Sequence, residues 1–143
     1  MIVYNIRVFI SHSWKYSNHY DKLAEWIFEE PWNVGGAPLK FIDHSVPKAN
    51  PIHTNGTEAE LRTKIYQLIA ASDVVVIPTG MYSSYSGWIA KEINGAKYYR
   101  RPILAVNPWS QERKSTVVGE AASLTVGWSK QSVINGIWGF RPR

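Results

Sequence analysis

With 143 residues, 45% of them hydrophobic and 19% charged, residues 1–143 are long enough for one packed core and too short for two comfortable ones, and disorder is excluded. The absence of cysteine excludes disulfides, thiolate zinc sites and a cysteine nucleophile together. The net charge of +5 is uneven: residues 1–71 carry seven Lys/Arg against seven Asp/Glu, and residues 72–143 carry nine against four, a surplus suited to a polyphosphate-containing ligand, an acidic partner or plain solvation.

The opening segment Met1-Ile2-Val3-Tyr4-Asn5-Ile6-Arg7 lacks a basic region and a small-residue cleavage site, so no leader is expected. No apolar run approaches the roughly 20 residues of a membrane helix, and a cytoplasmic protein without a membrane partner is expected. The first strand is predicted from Tyr4 to Ser11, its apolar run Val8-Phe9-Ile10 leading into Ser11-His12-Ser13-Trp14. Asn18 is placed to cap a helix whose Tyr20, Leu23, Ala24 and Ile27 recur at helical spacing, with Pro31 as its stop. Leu39 to Ile42 reads as a second strand ending at Asp43. Asp43 to Gly56, with Pro47, Pro51 and Asn55-Gly56, reads as a long ordered loop.

Thr57-Glu58-Ala59-Glu60 is a capping box before a helix carrying Leu61, Ile65, Leu68 and Ile69 on one face. Val74-Val75-Val76-Ile77 is a continuous apolar run, the pattern of a parallel strand covered on both faces. Ser86 caps a helix running to about Tyr99, Pro102 opens a strand at Ile103 to Val106, and Leu124-Thr125-Val126 is a weak fifth strand. Ser129 caps a last helix with Val133, Ile134 and Ile137. The alternation predicts an α/β three-layer sandwich on a five-stranded parallel sheet of order 2-1-3-4-5. Its switch point lies between the first and third strands. There the strand ends bring Ser11-His12-Ser13-Trp14 beside Thr79-Gly80-Met81-Tyr82-Ser83, roofed by the Asp43–Gly56 loop.

Several chemistries fail at that point. A phosphoacceptor needs clustered carboxylates at the strand ends, whereas Asp73 falls at the opposite edge and Asp43 stands alone. The glycine fingerprint of a dinucleotide fold is absent, since Gly35-Gly36 is elsewhere and the first turn has no glycine. His12, His44 and His53 match no zinc-ligand spacing, so no metal is expected. A Ser/His hydrolase lacks the G-x-S-x-G elbow. Glu92 remains. It follows Trp88 by four residues on the helix leaving the third strand, beside a core stripe of Ile89, Ile93 and Ala96, and is expected to be partly exposed at the crevice. One carboxylate suffices to cleave NAD. The transition state is oxocarbenium-like, and the nicotinamide, already cationic, departs neutral without a general acid.

Val8-Phe9-Ile10-Ser11-His12-Ser13-Trp14 resembles the first-strand motif of TIR-like domains, and Ser86-Gly87-Trp88-Ile89-Ala90-Lys91-Glu92-Ile93 resembles their W-x-x-x-E-I segment. Lys40 to Pro47, the segment Arg101 to Glu112 and Val126-Gly127-Trp128-Ser129 are similar to the bacterial branch, the ThsB-type proteins of Thoeris anti-phage systems. The resemblance spans nearly the whole chain. It implies a flavodoxin-like fold and conversion of NAD, as substrate rather than cofactor, to nicotinamide and an ADP-ribose-derived, often cyclic, signal that activates a separate effector protein. It further implies Glu92 as catalytic carboxylate, Phe9, Ser11, His12 and Trp14 as pocket floor, Asp43 and Ser45 in the lid, and Trp88 beside the glutamate. Met81, Tyr82 and Ser86 complete the expected substrate contacts. His12-Ser13 departs from the basic residues many animal and plant members carry there, which puts substrate pose and product in question. Homo-oligomeric assembly fits the aromatic-rich basic surface. A non-catalytic module acting by homotypic assembly is the alternative; a nucleotide-binding or nuclease role, suggested by the basic second half, is a weaker one that salt-dependent binding to nucleic acid would expose.

Overall fold

The computed structural model describes residues 4–11, 17–29, 32–34, 37–43, 58–79, 86–107 and 116–141. Its strands are β1 (Tyr4–Ile10), β2 (Trp32–Val34), β3 (Ala37–Asp43), β4 (Val74–Pro78), β5 (Ile103–Val106) and β6 (Leu124–Val126). Its helices are α1 (Ser17–Phe28), α2 (Glu58–Ala70), α3 (Ser86–Tyr98), α4 (Thr116–Ala121) and α5 (Lys130–Gly139). The sheet runs β2-β3-β1-β4-β5-β6, and every neighbouring pair except β2–β3 is parallel. The five parallel strands stand in the order expected from sequence and give a flavodoxin-like α/β fold. The addition is β2, a three-residue antiparallel edge strand pairing Trp32 with Leu39 and Val34 with Ala37.

Alternation along the strands divides the core into two layers. Ile6, Val8, Ile10, Val74, Val76, Leu104 and Val106 face Leu23 and Ile27 of α1 and Val133, Ile134 and Ile137 of α5. Phe9, Val75, Ile77, Ile103 and Ala105 face Ile65 and Ile69 of α2, Ile89, Ile93 and Ala96 of α3, and Val118 of α4. The run Val74–Ile77 therefore has no solvent side, and all four residues are fully buried. Helix boundaries follow local chemistry. Ser129 caps α5, its hydroxyl accepting from the Ser132 N–H at 3.2 Å. Helix α1 ends at Phe28, short of Pro31. Helix α3 closes with the Arg101 N–H donating to the Ala96 carbonyl at 2.8 Å across Arg100, which takes the left-handed conformation (φ 56°) usually given to glycine.

The N-terminal edge of the sheet is tied by charge. Arg7 reaches Asp73 in a fork, Nη2 to Oδ1 at 2.8 Å and Nε to Oδ2 at 3.1 Å, while the Arg7 N–H donates to Oδ2 at 2.8 Å. In return the Asp73 N–H donates to the Arg7 carbonyl at 2.7 Å. Beside this clasp Arg101 Nη2 donates to the last-turn carbonyl of Ala70 at 2.7 Å. Burial pushes the Asp73 carboxyl up, but the hydrogen bonds and charge of Arg7 outweigh it and hold it below the usual carboxylate value.

A carboxyl depressed in the folded state stabilises above its unfolded value, and that gain is lost as the pH falls through the folded one. Asp73→Asn should therefore cost about 1 kcal/mol at neutral pH, a figure kept small because the guanidinium is half exposed. The difference from wild type should vanish in acid below the carboxylate range, as read by urea unfolding at both pH values. A second expectation concerns α5, where a Cβ on Gly136 would lie 2.8 Å and 3.1 Å from the two methyls of buried Leu104. Gly136→Ala should lose about 1–3 kcal/mol by overpacking. Gly119→Ala in α4, which meets nothing within 4 Å, should gain about 0.5–1 kcal/mol, both changes being read by urea unfolding.

Candidate functional site

Each of the three central strands ends, on the α2/α3 face, in a polar side chain one pleat beyond its last apolar one. Ser11 follows Phe9, Thr79 follows Ile77, and Asn107 follows Ala105. The strands hold these residues by main-chain bonds: the Ser11 N–H donates to the Val76 carbonyl and the Asn107 N–H to the Val126 carbonyl, both at 2.8 Å. In the β4–β5 register Pro78 lies opposite Val106, which sets Thr79 beside Asn107. The Thr79 hydroxyl donates to Asn107 Oδ1 at 3.1 Å. Ser11 is level with Ile77, one pleat deeper, because Ile10 pairs with Val76. Its hydroxyl is buried and has no hydrogen-bond partner among the described residues.

Glu92 enters the same layer from α3. It lies in line with Ile89 and Ala96 at helical spacing, so it belongs to the core-facing stripe itself. The side chain is fully buried, with both carboxylate oxygens shielded from solvent. This corrects the expectation of a partly exposed glutamate beside the stripe: the helix turns it inward, onto the face that carries Ser11, Thr79 and Asn107. Removing a carboxylate from water costs several kcal/mol after relaxation unless it is paired or hydrogen-bonded where it lies.

Of the residues expected at the site, Phe9, Ser11 and Glu92 share this layer and are fully buried. Asp43 is the last residue of β3, beside β1 at the same end of the sheet. Ser86 opens α3 and Trp88 lies one turn before Glu92. His12, Trp14, Ser45, Met81 and Tyr82 lie outside the described residues, as does the loop beyond Asp43 as far as Thr57. Asn107, met only within a motif, escaped sequence reasoning as a candidate site residue, and Thr79, placed at the switch point, was given no role there. The available signal was their parity, since each stands two residues beyond a core position of its strand.

Comparison with known proteins adds three findings. A family model described as Thoeris protein ThsB, TIR-like domain, matches residues 9–113, which include Phe9, Ser11, Thr79, Glu92 and Asn107. No match is found among curated proteins. Among solved structures, a Clostridium botulinum CMP N-glycosidase, BcmB, is similar in fold, with 11% identity, 94% of this chain and 99% of that one covered, and a TM-score of 0.55. A 3-dehydroquinate dehydratase-like protein from Bifidobacterium longum is a looser match, with 14% identity, 96% and 94% coverage, and a TM-score of 0.47.

Glu92→Gln, nearly isosteric and neutral, should keep the fold, with a melting temperature close to that of the wild type. Calorimetry measures it directly. A clear loss would instead assign the carboxylate to holding the fold together.

Proposed function

The chain belongs to the TIR-like domain family of Thoeris protein ThsB, and on that premise we propose that it is an enzyme cleaving the N-glycosidic bond between nicotinamide and ribose in NAD. The observation that carries the reading is the carboxylate of Glu92, buried on the face where β1, β4 and β5 end in polar side chains. In the proposed step the C1′–N bond breaks and its electron pair leaves with the nicotinamide, which becomes neutral. The ribosyl cation that develops is stabilised by the Glu92 carboxylate. Its capture by water gives ADP-ribose and releases a proton, whereas capture by a nitrogen of the adenine gives a cyclic product. The low dielectric around Glu92 strengthens the attraction between carboxylate and developing cation.

The solved structure of similar fold carries in its name the cleavage of CMP at the same class of bond. At 11% identity that likeness concerns the fold, and it supports the reading only in that such a sheet can host the chemistry. In the proposed setting the protein acts in the cytoplasm during phage infection, and its nucleotide product activates a separate effector. A second reading has one observation in its favour. Tyr66, Tyr98 and Tyr99 form an aromatic cluster with ring centroids 4.9–6.0 Å apart, and Tyr98 is 72% exposed. Such a surface fits a module that works by assembly rather than catalysis.

Incubation of concentrated protein with NAD, with products identified by mass spectrometry, separates the two readings. Glu92→Gln should lose about 10²–10³ in rate while its melting temperature does not fall. Equal turnover by both proteins would remove Glu92 from the chemistry. Absence of turnover by either, at any concentration, would favour assembly, and Tyr98→Ala would then be the variant to lose function.

A further inference from the structure

The polar side chains at the strand ends have capacity that the described residues do not use. Asn107 spends one acceptor position, on the Thr79 hydroxyl, and the hydrogen bonds of its side chain leave both amide N–H groups uncommitted among the described residues. Thr79 spends its one hydroxyl proton on Asn107 and keeps its lone pairs, although the residue is only 1% exposed. One pleat deeper on the neighbouring strand, the Ser11 hydroxyl is fully buried without a hydrogen-bond partner among the described residues. Leaving a buried hydroxyl unsatisfied costs about 1–3 kcal/mol. A hydroxyl kept there, at the edge where ligands of open parallel sheets bind, points to a partner that arrives with the ligand.

Two amide donors beside hydroxyl lone pairs match a particular ligand group. A vicinal diol presents two oxygens that accept and two O–H groups that donate. Asn107 can donate to the oxygens while Thr79 accepts an O–H in return. The Thr79–Asn107 hydrogen bond fixes the orientation of both groups before a ligand is present, which lowers the ordering cost of binding. All three polar residues lie on the face of the sheet from which Glu92 approaches. We propose that Thr79 and Asn107 bind the 2′,3′-diol of the ribosyl unit whose N-glycosidic bond is cleaved, with Ser11 as a deeper hydrogen-bonding group, so that the protein selects ribonucleotides over their 2′-deoxy counterparts. This rests on the N-glycosidic reading for the identity of the ribosyl unit. A site built to hydrogen-bond a hydroxyl rejects the analogue lacking it, because its own buried polar groups are then left unpaired.

The experiment is a binding measurement, so that it stands apart from turnover. ADP-ribose and its analogue lacking the 2-hydroxyl of the terminal ribose are titrated calorimetrically into wild type, Thr79→Val, Thr79→Ser and Asn107→Ala. Melting temperatures are recorded in parallel. Wild type should prefer ADP-ribose by at least about 10-fold, a modest share of the discrimination such sites reach. Thr79→Val keeps the branched shape and loses the hydroxyl, so its preference should fall to near unity; Asn107→Ala should behave alike, and Thr79→Ser should restore the preference. A merely structural pair would weaken both ligands by the same factor and leave their ratio intact, which would overturn the proposal. So would equal binding of the two ligands by wild type, or binding of neither. Wild type that prefers ADP-ribose yet turns over no NAD would sustain the diol site and sink the proposed reaction.

Discussion

Strand β4 has no side that faces water, and most of the molecule is arranged around that constraint. Val74–Ile77, the first four of its five residues, are fully buried, alternating between the α1/α5 layer and the α2/α3 layer. A strand covered on both faces must satisfy all its main-chain groups within the sheet, which requires a partner on each side. Strands β1 and β5 provide them, in parallel register. Parallel neighbours in turn require crossovers, and the helices of those crossovers are the layers that cover β4. Two glycines let the layers close. Gly95 in α3 faces Tyr66 and Ile69 of α2, and Gly136 in α5 faces Leu104 of β5, at distances a side chain would violate or strain.

The two ends of this sheet are chemically unlike. At the N-terminal end polar groups are committed to one another: Arg7 with Asp73 through both side chain and main chain, and Arg101 with the end of α2. At the C-terminal end Ser11, Thr79 and Asn107 keep hydrogen-bonding capacity in reserve among the described residues, and a carboxylate is buried on the same face. Natural proteins place unfavourable local arrangements where function requires them and support them elsewhere. The clasp at the far edge and the apolar β4 between them are the support here.

Most of the fold was legible because the apolar periodicities are strong. The unbroken run at Val74–Ile77 announced a central parallel strand, and the capping serine at Ser129 announced α5. What escaped was short. Strand β2 has three residues and helix α4 six, too few for a period to register. Gly35-Gly36, weighed only as a dinucleotide fingerprint, also separates two strand-like segments by the length of a tight hairpin connection, the signal that would have placed β2 against β3. At the candidate site, helical spacing put Glu92 on the helix after β4 but misjudged its exposure. A glutamate is so seldom fully buried that composition argues against it, and only packing of α3 on the sheet turns position 92 into the stripe of Ile89 and Ala96. The pairing of Asn107 with Thr79 was invisible in the sequence because it depends on which strand lies beside which.

The burial of Glu92 reaches beyond its immediate neighbours. Between two unit charges 4 Å apart the attraction is about 1 kcal/mol in water and about 4 kcal/mol in surroundings of effective dielectric constant near 20. The Glu92 side chain is fully buried, on the helix that lays Ile89 and Ile93 into the layer shared with Phe9 and Ile77, and an apolar layer damps a field weakly. Those apolar side chains are thus electrical insulation as well as packing. Hollowing out one of them would let a water molecule settle near the carboxylate and attenuate its field without displacing a single polar group. Sensitivity of this kind makes the apolar wall part of the site, although none of its members has a group that reacts.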